Sequence, residues 1–372
     1  MKPIRRPAAA AAVVITATAG LLVGSGIPAG AASTATFIGP LHHETVVAST
    51  VPRRGPEAGD VNPYGVAVVQ RSTGRLHAGD VLVSNFNNKA NAQGTGSTIV
   101  QVSPRGHQSV FATVPNLGRA CPGGIGLTTA LVSLPSGWVV VGSLPTRKGM
   151  ISGPGCLIVL DSHGAVRETI AGHGIDGPWD MTAISRGRVS ELFVTNVLGG
   201  ILGRHSRHGG TVQRLILTTG RGLPRLLAST RIGSGFPART DPNALVIGPT
   251  GDGFGPGGTL YVADTLDSRI AAIPDAAFRA SDAGPGRTVT RGGALNGELG
   301  LAIAPNGDIL TVNGGDGRIV ETTPSGRQVA VRTIDRNSGG GGNLFGLAIK
   351  PGADAVYFVD DFGSDNNLQL FH

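Results

Sequence analysis

The stretch GELGLAIAPNGDILTVNGGDGRIVET, residues 297–322, decides the fold. An apolar run at 301–304 leads through Pro305-Asn306-Gly307 into a second run at 308–312. Gly314 to Gly317 then turns into a third run at 318–322, and Pro324-Ser325-Gly326 turns into a fourth at 328–331. Runs of four or five residues rich in Ile, Val, Leu and Thr read as strands. The Asn-Gly and Ser-Gly pairs supply the positive φ that tight hairpins need. One such stretch is therefore a four-stranded antiparallel meander.

Working outward, the pattern occurs six times. Its first strand is opened by NPYGVAV (62–68), GGIGLTT (123–129), GPWDMTA (177–183), DPNALVI (241–247), GELGLAI (297–303) and NLFGLAI (343–349). Its second strand reads DVLVSN (80–85), WVVVGS (138–143), ELFVTN (191–196), TLYVAD (259–264), DILTVN (308–313) and VYFVD (356–360). A repeat of roughly 45–65 residues made of short strands is the signature of a β-propeller with one blade per repeat. The expectation is an all-β, six-bladed propeller spanning 32–372 as one domain. In the fourth repeat the first strand is expected at 245–247, followed by a Gly/Pro turn into 259–263. The sixth repeat runs out of chain after three strands, and VVAST (46–50) echoes LLAST (226–230), an outermost strand. Residues 45–48 are thus expected to close the ring as the fourth strand of the last blade, removing the open edges.

Composition agrees with stacked sheets. Gly is 60 of 372 residues, concentrated between the apolar runs as turn chemistry, and charged residues are only 15%. The N-terminus reads as a signal peptide over 1–31: Lys2, Arg5 and Arg6, then an uncharged apolar run from Ala8 to Val23, then Ala29-Gly30-Ala31. Arg5-Arg6 allows twin-arginine export, though the residues after the pair fit that signal poorly. The expectation is a secreted monomer with no integral membrane segment after cleavage. The formal charge of +7 includes three cations of that segment, so about +4 remains on the mature chain. No Lys/Arg run or aromatic stripe accompanies it, which argues against nucleic acid.

The run Tyr261-Val262-Ala263-Asp264 with Arg269-Ile270, and Asn306-Gly307-Asp308 with Asn313 and Arg318-Ile319, resembles NHL-repeat six-bladed propellers. Tyr64-Gly65-Val66-Ala67 and Phe345-Gly346-Leu347-Ala348 match the inner strand of that family, whereas Trp179-Asp180-Met181 departs from it. The resemblance covers nearly all of the mature chain and is specific for fold. Related six-bladed propellers include lactonases, lyases and binding modules, so it leaves function open.

In a propeller the starts of the first strands and the ends of the second crowd one mouth of the central channel. The second strands end on Asn85, Ser143, Asn196, Asp264, Asn313 and Asp360; the first begin at Asn62, Asp180, Asp241, Asn243, Glu298 and Asn343. Among these, Asn85, Asn196, Asp264, Asn313, Asp360 and Glu298 are the candidate ligand or metal residues. Hard oxygen donors suit Ca²⁺, and the resemblance implies a divalent ion at this mouth in the related lactonases. The alternative is that such residues only cap turns. No catalytic residue stands out: there is no G-x-S-x-G elbow, and the His205/His208 pair reads as part of a basic loop.

Cys121 and Cys156 fall on the same face and are expected to form a disulfide. Long insertions at 85–97, 143–155 and 196–210 gather Lys89, Arg147, Lys148, Arg204 and Arg207 on that face, a rim suited to an anionic small molecule or a glycan. The leading functional expectation is a secreted propeller binding a small molecule, glycan or protein at the mouth. Alternatives are a Ca²⁺-dependent lactonase, hydrolase or lyase, and a structural envelope protein.

Overall fold

The computed structural model describes residues 35–199, 208–220, 222–241, 245–336, 342–361 and 366–372. Six four-stranded antiparallel sheets stand around a central axis, the arrangement read from the repeats. Blade 1 is built of Val61–Val68, Val81–Asn87, Thr98–Val102 and Gln108–Thr113. Blade 2 follows with Leu127–Ser133, Val139–Ser143, Cys156–Leu160 and Val166–Ile170. Blade 3 has the longest strands, Pro178–Arg186, Val189–Asn196, Gly210–Thr218 and Arg225–Phe236. Blade 4 comprises Pro249–Phe254, Leu260–Asp264, Arg269–Ile273 and Arg287–Arg291, and blade 5 Glu298–Ile303, Ile309–Asn313, Arg318–Thr322 and Gln328–Thr333.

Blade 6 joins both ends of the described chain. Leu344–Ile349, Val356–Asp360 and Asn367–Phe371 are completed by Glu44–Ser49, which pairs antiparallel to the last strand. The expected closure by residues 45–48 therefore holds. The segment before it is also anchored. The Phe37 and Ile38 amides donate to the buried Glu321 carboxylate at 2.7 and 2.9 Å, and both side chains enter the core between blades 5 and 6.

One expectation fails in blade 4. The DPNALVI run is not its first strand: Leu245–Ile247 pairs with Arg239–Asp241 in a separate hairpin. The first strand is Pro249–Phe254, PTGDGF, which had read as a turn. Gly and Pro are tolerated there because an innermost strand pairs on one side only and packs closely on its neighbours. The displaced hairpin contributes Leu245 and Val246 to the core over the axis.

Every first strand carries a register shift at the same level, for example between Pro63 and Val66 and between Glu298 and Leu301. Aligned on this bulge, the residue just before pairing resumes is Gly65, Ala130, Asp180, Gly251, Gly300 and Gly346 in blades 1 to 6. Glycine is required by close approach. A β-carbon at Gly300 would run into the carbonyl oxygen of Phe345 in blade 6, and one at Gly346 into that of Tyr64 in blade 1. Hydroxyls stitch the same seams. The Gly65 amide donates to Ser84 Oγ at 2.9 Å, and Ser84 Oγ donates to the Thr128 carbonyl at 2.7 Å. In blade 3 the relay is Asp180 N–H to Thr195 Oγ1 at 3.0 Å and Thr195 Oγ1 to the Thr250 carbonyl at 2.6 Å.

Candidate functional site

The residue preceding that bulge position is buried in each blade: Tyr64, Thr129, Trp179, Thr250, Leu299 and Phe345. The large ones among them, Tyr64, Trp179, Leu299 and Phe345, share one core cluster and close one end of the channel. Tyr64 stacks on Phe345 with ring centroids 4.0 Å apart and on Phe86 at 4.4 Å, and its ring lies 5.8 Å from Trp179. Leu144, Val197, Leu198, Leu245 and Leu299 complete the plug. Burial pushes the Tyr64 hydroxyl well above the usual phenol range, and the Asp361 carboxylate adds to the effect. The plugged end is the mouth at which the polar ring was expected.

The mouth residues turn to their own blades. Asn85 Nδ2 donates to the Thr50 carbonyl and Thr98 Oγ1. Asn196 accepts from the Asp176 amide and donates to the Val194 carbonyl. Asn313 Nδ2 donates to the Ala294 carbonyl and Asp316, and Asp360 accepts from Gln369 at 3.2 Å. Ser143 Oγ accepts from the Gly126 amide and donates to the Gly124 carbonyl. Asp264 Oδ2 receives Arg269 Nε at 2.9 Å and Nη2 at 2.7 Å, a fully buried ion pair. Burial nonetheless keeps the Asp264 carboxyl above its ordinary range. Asn343 donates to Asp335, and Asp241 pairs with Arg239. Asn243 lies outside the described residues.

Only one subset of the candidates comes together. Glu298 and Asn313 face each other across the first two strands of blade 5. Asp264 approaches from blade 4: burial raises the Glu298 carboxyl well above its usual range, and the Asp264 charge raises it further. Both Glu298 carboxylate oxygens, Asp264 Oδ1 and Asn313 Oδ1 are buried without a hydrogen-bond partner. Among the described residues, no three or more His, Cys, Asp or Glu side chains are grouped to hold a metal ion.

The insertions on the plugged face are ordered against one another. Thr146 Oγ1 donates to the Gln93 carbonyl and its amide to the Gly94 carbonyl, joining the insertions of blades 1 and 2. The Cys121–Cys156 disulfide is present, with Cα atoms 5.4 Å apart, and ties the start of blade 2 to its third strand. Arg204, His205 and Arg207 lie outside the described residues.

The open space is elsewhere. A cavity of about 480 Å³ runs along the axis from the bulge level toward the face where the first strands end. Side chains such as Val66, Val68, Leu131, Ala183, Phe254, Leu347 and Ile349 line it. Each first strand is the edge of its sheet, so unpaired backbone N–H and C=O groups also face the axis.

Two carboxylates interrupt this wall. Asp180 stands where four other blades carry glycine. Asp252 stands where the others carry Val66, Leu131, Met181, Leu301 and Leu347. Both line the cavity at the seam of blades 3 and 4. Asp180 Oδ1 accepts from the Met181 amide at 2.8 Å and is part-exposed to the channel. Asp252 is 3% exposed, and neither of its carboxylate oxygens has a hydrogen-bond partner. Burial pushes Asp180 up to about 8. Asp252 is raised well above the carboxylate range by burial and by the Asp180 charge, offset in part by the Thr182 amide, which stands outside hydrogen-bonding geometry. Burial thus holds both acids toward their protonated form at neutral pH, and once one has ionised its charge resists the ionisation of the other.

Sequence reasoning had Asp180 among the mouth residues and as a departure from the repeat. It missed Asp252, because a stretch such as PTGDGFGPGG (249–258) reads as turn. The available signal was positional: aligning the six first strands puts a carboxylate in an otherwise apolar layer.

No family model matches the chain, and no curated protein matches it. Its fold is shared with solved six-bladed propellers. A gluconolactonase from Xanthomonas campestris superposes with a TM-score of 0.56 at 12% identity, covering 90% of each chain. Regucalcin, a calcium-binding protein from Agrobacterium tumefaciens, gives 0.52 at 13% identity, over 89% of this chain and 93% of that one. The PQQ-bound aldose sugar dehydrogenase of Streptomyces coelicolor gives 0.52 at 16%, over 88% and 97%.

Proposed function

We propose that this chain is an exported enzyme of the hydrolase or lyase type, acting on a small molecule inside the central channel through Asp180 and Asp252. The observation that carries this reading is the pair itself. Two carboxylates sit side by side in a cavity wall where the repeat calls for glycine and an aliphatic residue. Buried acids without partners cost stability, and perturbed acids in a cleft concentrate at sites of chemistry. The fold neighbours that are enzymes agree with it, as does a disulfide suited to an oxidising compartment.

The pair can supply both halves of acid–base catalysis. The working form is the pair that has lost one proton, which the raised carboxyls place toward alkaline pH; for a cyclic ester, water then adds to the carbonyl carbon as the ionised carboxylate takes its proton. The ring C–O bond breaks, and the leaving oxygen takes the proton held by the other carboxyl. Asp180, reachable from the channel, is the member that meets the substrate; Asp252, deeper, holds its charge state.

The test is a screen of lactones and esters with purified protein, followed by Asp252→Asn. Turnover that falls on the order of 10²–10⁴-fold in the variant supports the reading. Binding without turnover of any compound would return the protein to the class of channel-binding modules.

Calcium is the second reading, for the seam of blades 4 and 5. The partnerless oxygens of Glu298, Asp264 and Asn313 are the donors that would hold it there, and one fold neighbour is a calcium-binding protein. Arg269 on Asp264 opposes it with a full positive charge. Thermal unfolding with Ca²⁺ after chelation checks this: a hundredfold excess over Kd stabilises by about 2.7 kcal/mol.

A further inference from the structure

The ionisable residues inside the channel are acids, although the protein as a whole is basic. The chain carries a formal net charge of +7, and its Lys and Arg side chains outnumber its acids. Yet among the described residues no Lys, Arg or His lines the channel, and the titratable residues that do are Asp180 and Asp252. One of them, Asp252, is 3% exposed and has no partner for either oxygen. The rest of the wall consists of small aliphatic side chains, a few hydroxyls such as Thr129 and Ser133, and unpaired strand edges.

We propose that the channel takes a positively charged, hydrogen-bonding small molecule, with an ammonium group seated between Asp180 and Asp252 and its polar body along the strand edges. This rests on the reading of the channel as the working site and names its substrate class. An anion would meet two acids and no cation. A neutral polyol would satisfy the strand edges but leave Asp252 unpartnered. An ammonium supplies donors to both carboxylates and favours their ionised form, so binding expels a proton to solvent. A divalent ion is served less well, because it requires six or more oxygen ligands and the wall beside the pair is largely aliphatic.

Isothermal titration with glucosamine, glucose and glucuronate at pH 7 tests the charge rule on molecules of one shape. Glucosamine should bind at least tenfold more tightly than glucose, and glucuronate should not bind. Repeating the glucosamine titration in buffers of different ionisation enthalpy should show a proton released. Asp252→Asn, which keeps the shape, should abolish both the preference and the release. Equal binding of the three sugars, or tightest binding of glucuronate, would overturn the inference. So would stabilisation by Ca²⁺ that Asp252→Asn removes, with no effect of glucosamine. Turnover of neutral lactones with no charge preference would overturn this inference and leave the enzyme reading standing; a charge preference without turnover would do the reverse.

Discussion

The seam between blades 5 and 6 and the seam between blades 3 and 4 follow one plan and end differently. At the first, Gly300 lies on the carbonyl of Phe345, backbone against backbone, with Leu301 and Leu347 filling the next layer. At the second, Asp180 replaces the glycine and Asp252 the aliphatic residue, while the hydroxyl relay through Thr195 is kept. The first seam is optimised for closing a ring. The second keeps the ring closed and places two acids where packing alone would never put them. The difference separates what holds the propeller together from what it was built to carry.

Substitution at the two seams should therefore act with opposite sign. Gly300→Val, which drives a branched side chain into the neighbouring strand, should cost about 4 kcal/mol or prevent folding, as read by denaturant unfolding. Asp180→Gly, the repeat's own residue at the other seam, should leave stability unchanged or raise it. If both substitutions destabilise alike, the two seams are not equivalent and the alignment on the bulge is wrong.

The two ends of the channel sharpen the contrast. Tyr64→Ala removes the ring at the centre of the plug and should cost about 3–4 kcal/mol, since large-to-small changes in a packed core leave a cavity. Its melting transition should fall while the open end keeps its ligand. Asp252→Leu restores the aliphatic layer and should gain about 1–3 kcal/mol, because replacing buried ionic groups by packed apolar ones is commonly stabilising. It should also remove activity, which distinguishes a functional residue from a structural one.

The smallest effect is in the pH dependence. An unfolded Asp ionises near 3.8, whereas Asp180 is held up to about 8 and Asp252 is also raised well above the carboxylate range. Below pH about 4 both states are protonated, and the pair costs nothing. As pH rises from there, the unfolded chain releases protons that the folded one retains, so stability falls across the window up to about 8. Asp361, raised to about 7 by burial and by Asp360 and Asp335, slopes the same way, as does Asp308, raised to about 6 by burial and Glu321. The slope that belongs to the pair is the part lost in Asp252→Asn, measured by unfolding at a series of pH values.

The repeats made the architecture legible because strand length, turn chemistry and spacing act locally. The sixfold count, the closing strand near Val46 and the Cys121–Cys156 bond all follow from such local signals. The first strand of blade 4 was not legible. PTGDGF lacks the apolar run of a strand, and what stabilises it is the closeness of its neighbours, which only the assembled ring supplies. The mouth ring was legible as a set of residues, but not in its orientation. Asn85, Asn196 and Asn313 sit where the repeat placed them and bond within their own blades, while Tyr64, Trp179 and Phe345 occupy the axis. Aromatic residues one step before the bulge position carry no sign, in sequence, that they will meet across a channel.

The central claim is that Asp180 and Asp252 form one coupled, buried pair held toward the protonated form in the channel at neutral pH. Carbon-13 NMR of protein labelled at its Asp carboxyl carbons, titrated from pH 3 to 10, measures this directly. The account predicts carboxyl signals that titrate near or above pH 8, and that disappear or move to the ordinary range in both Asp180→Asn and Asp252→Asn. If every carboxyl that Asp252→Asn perturbs titrates below pH 5 in the unsubstituted protein, the two acids are not a coupled pair and the channel is not the site.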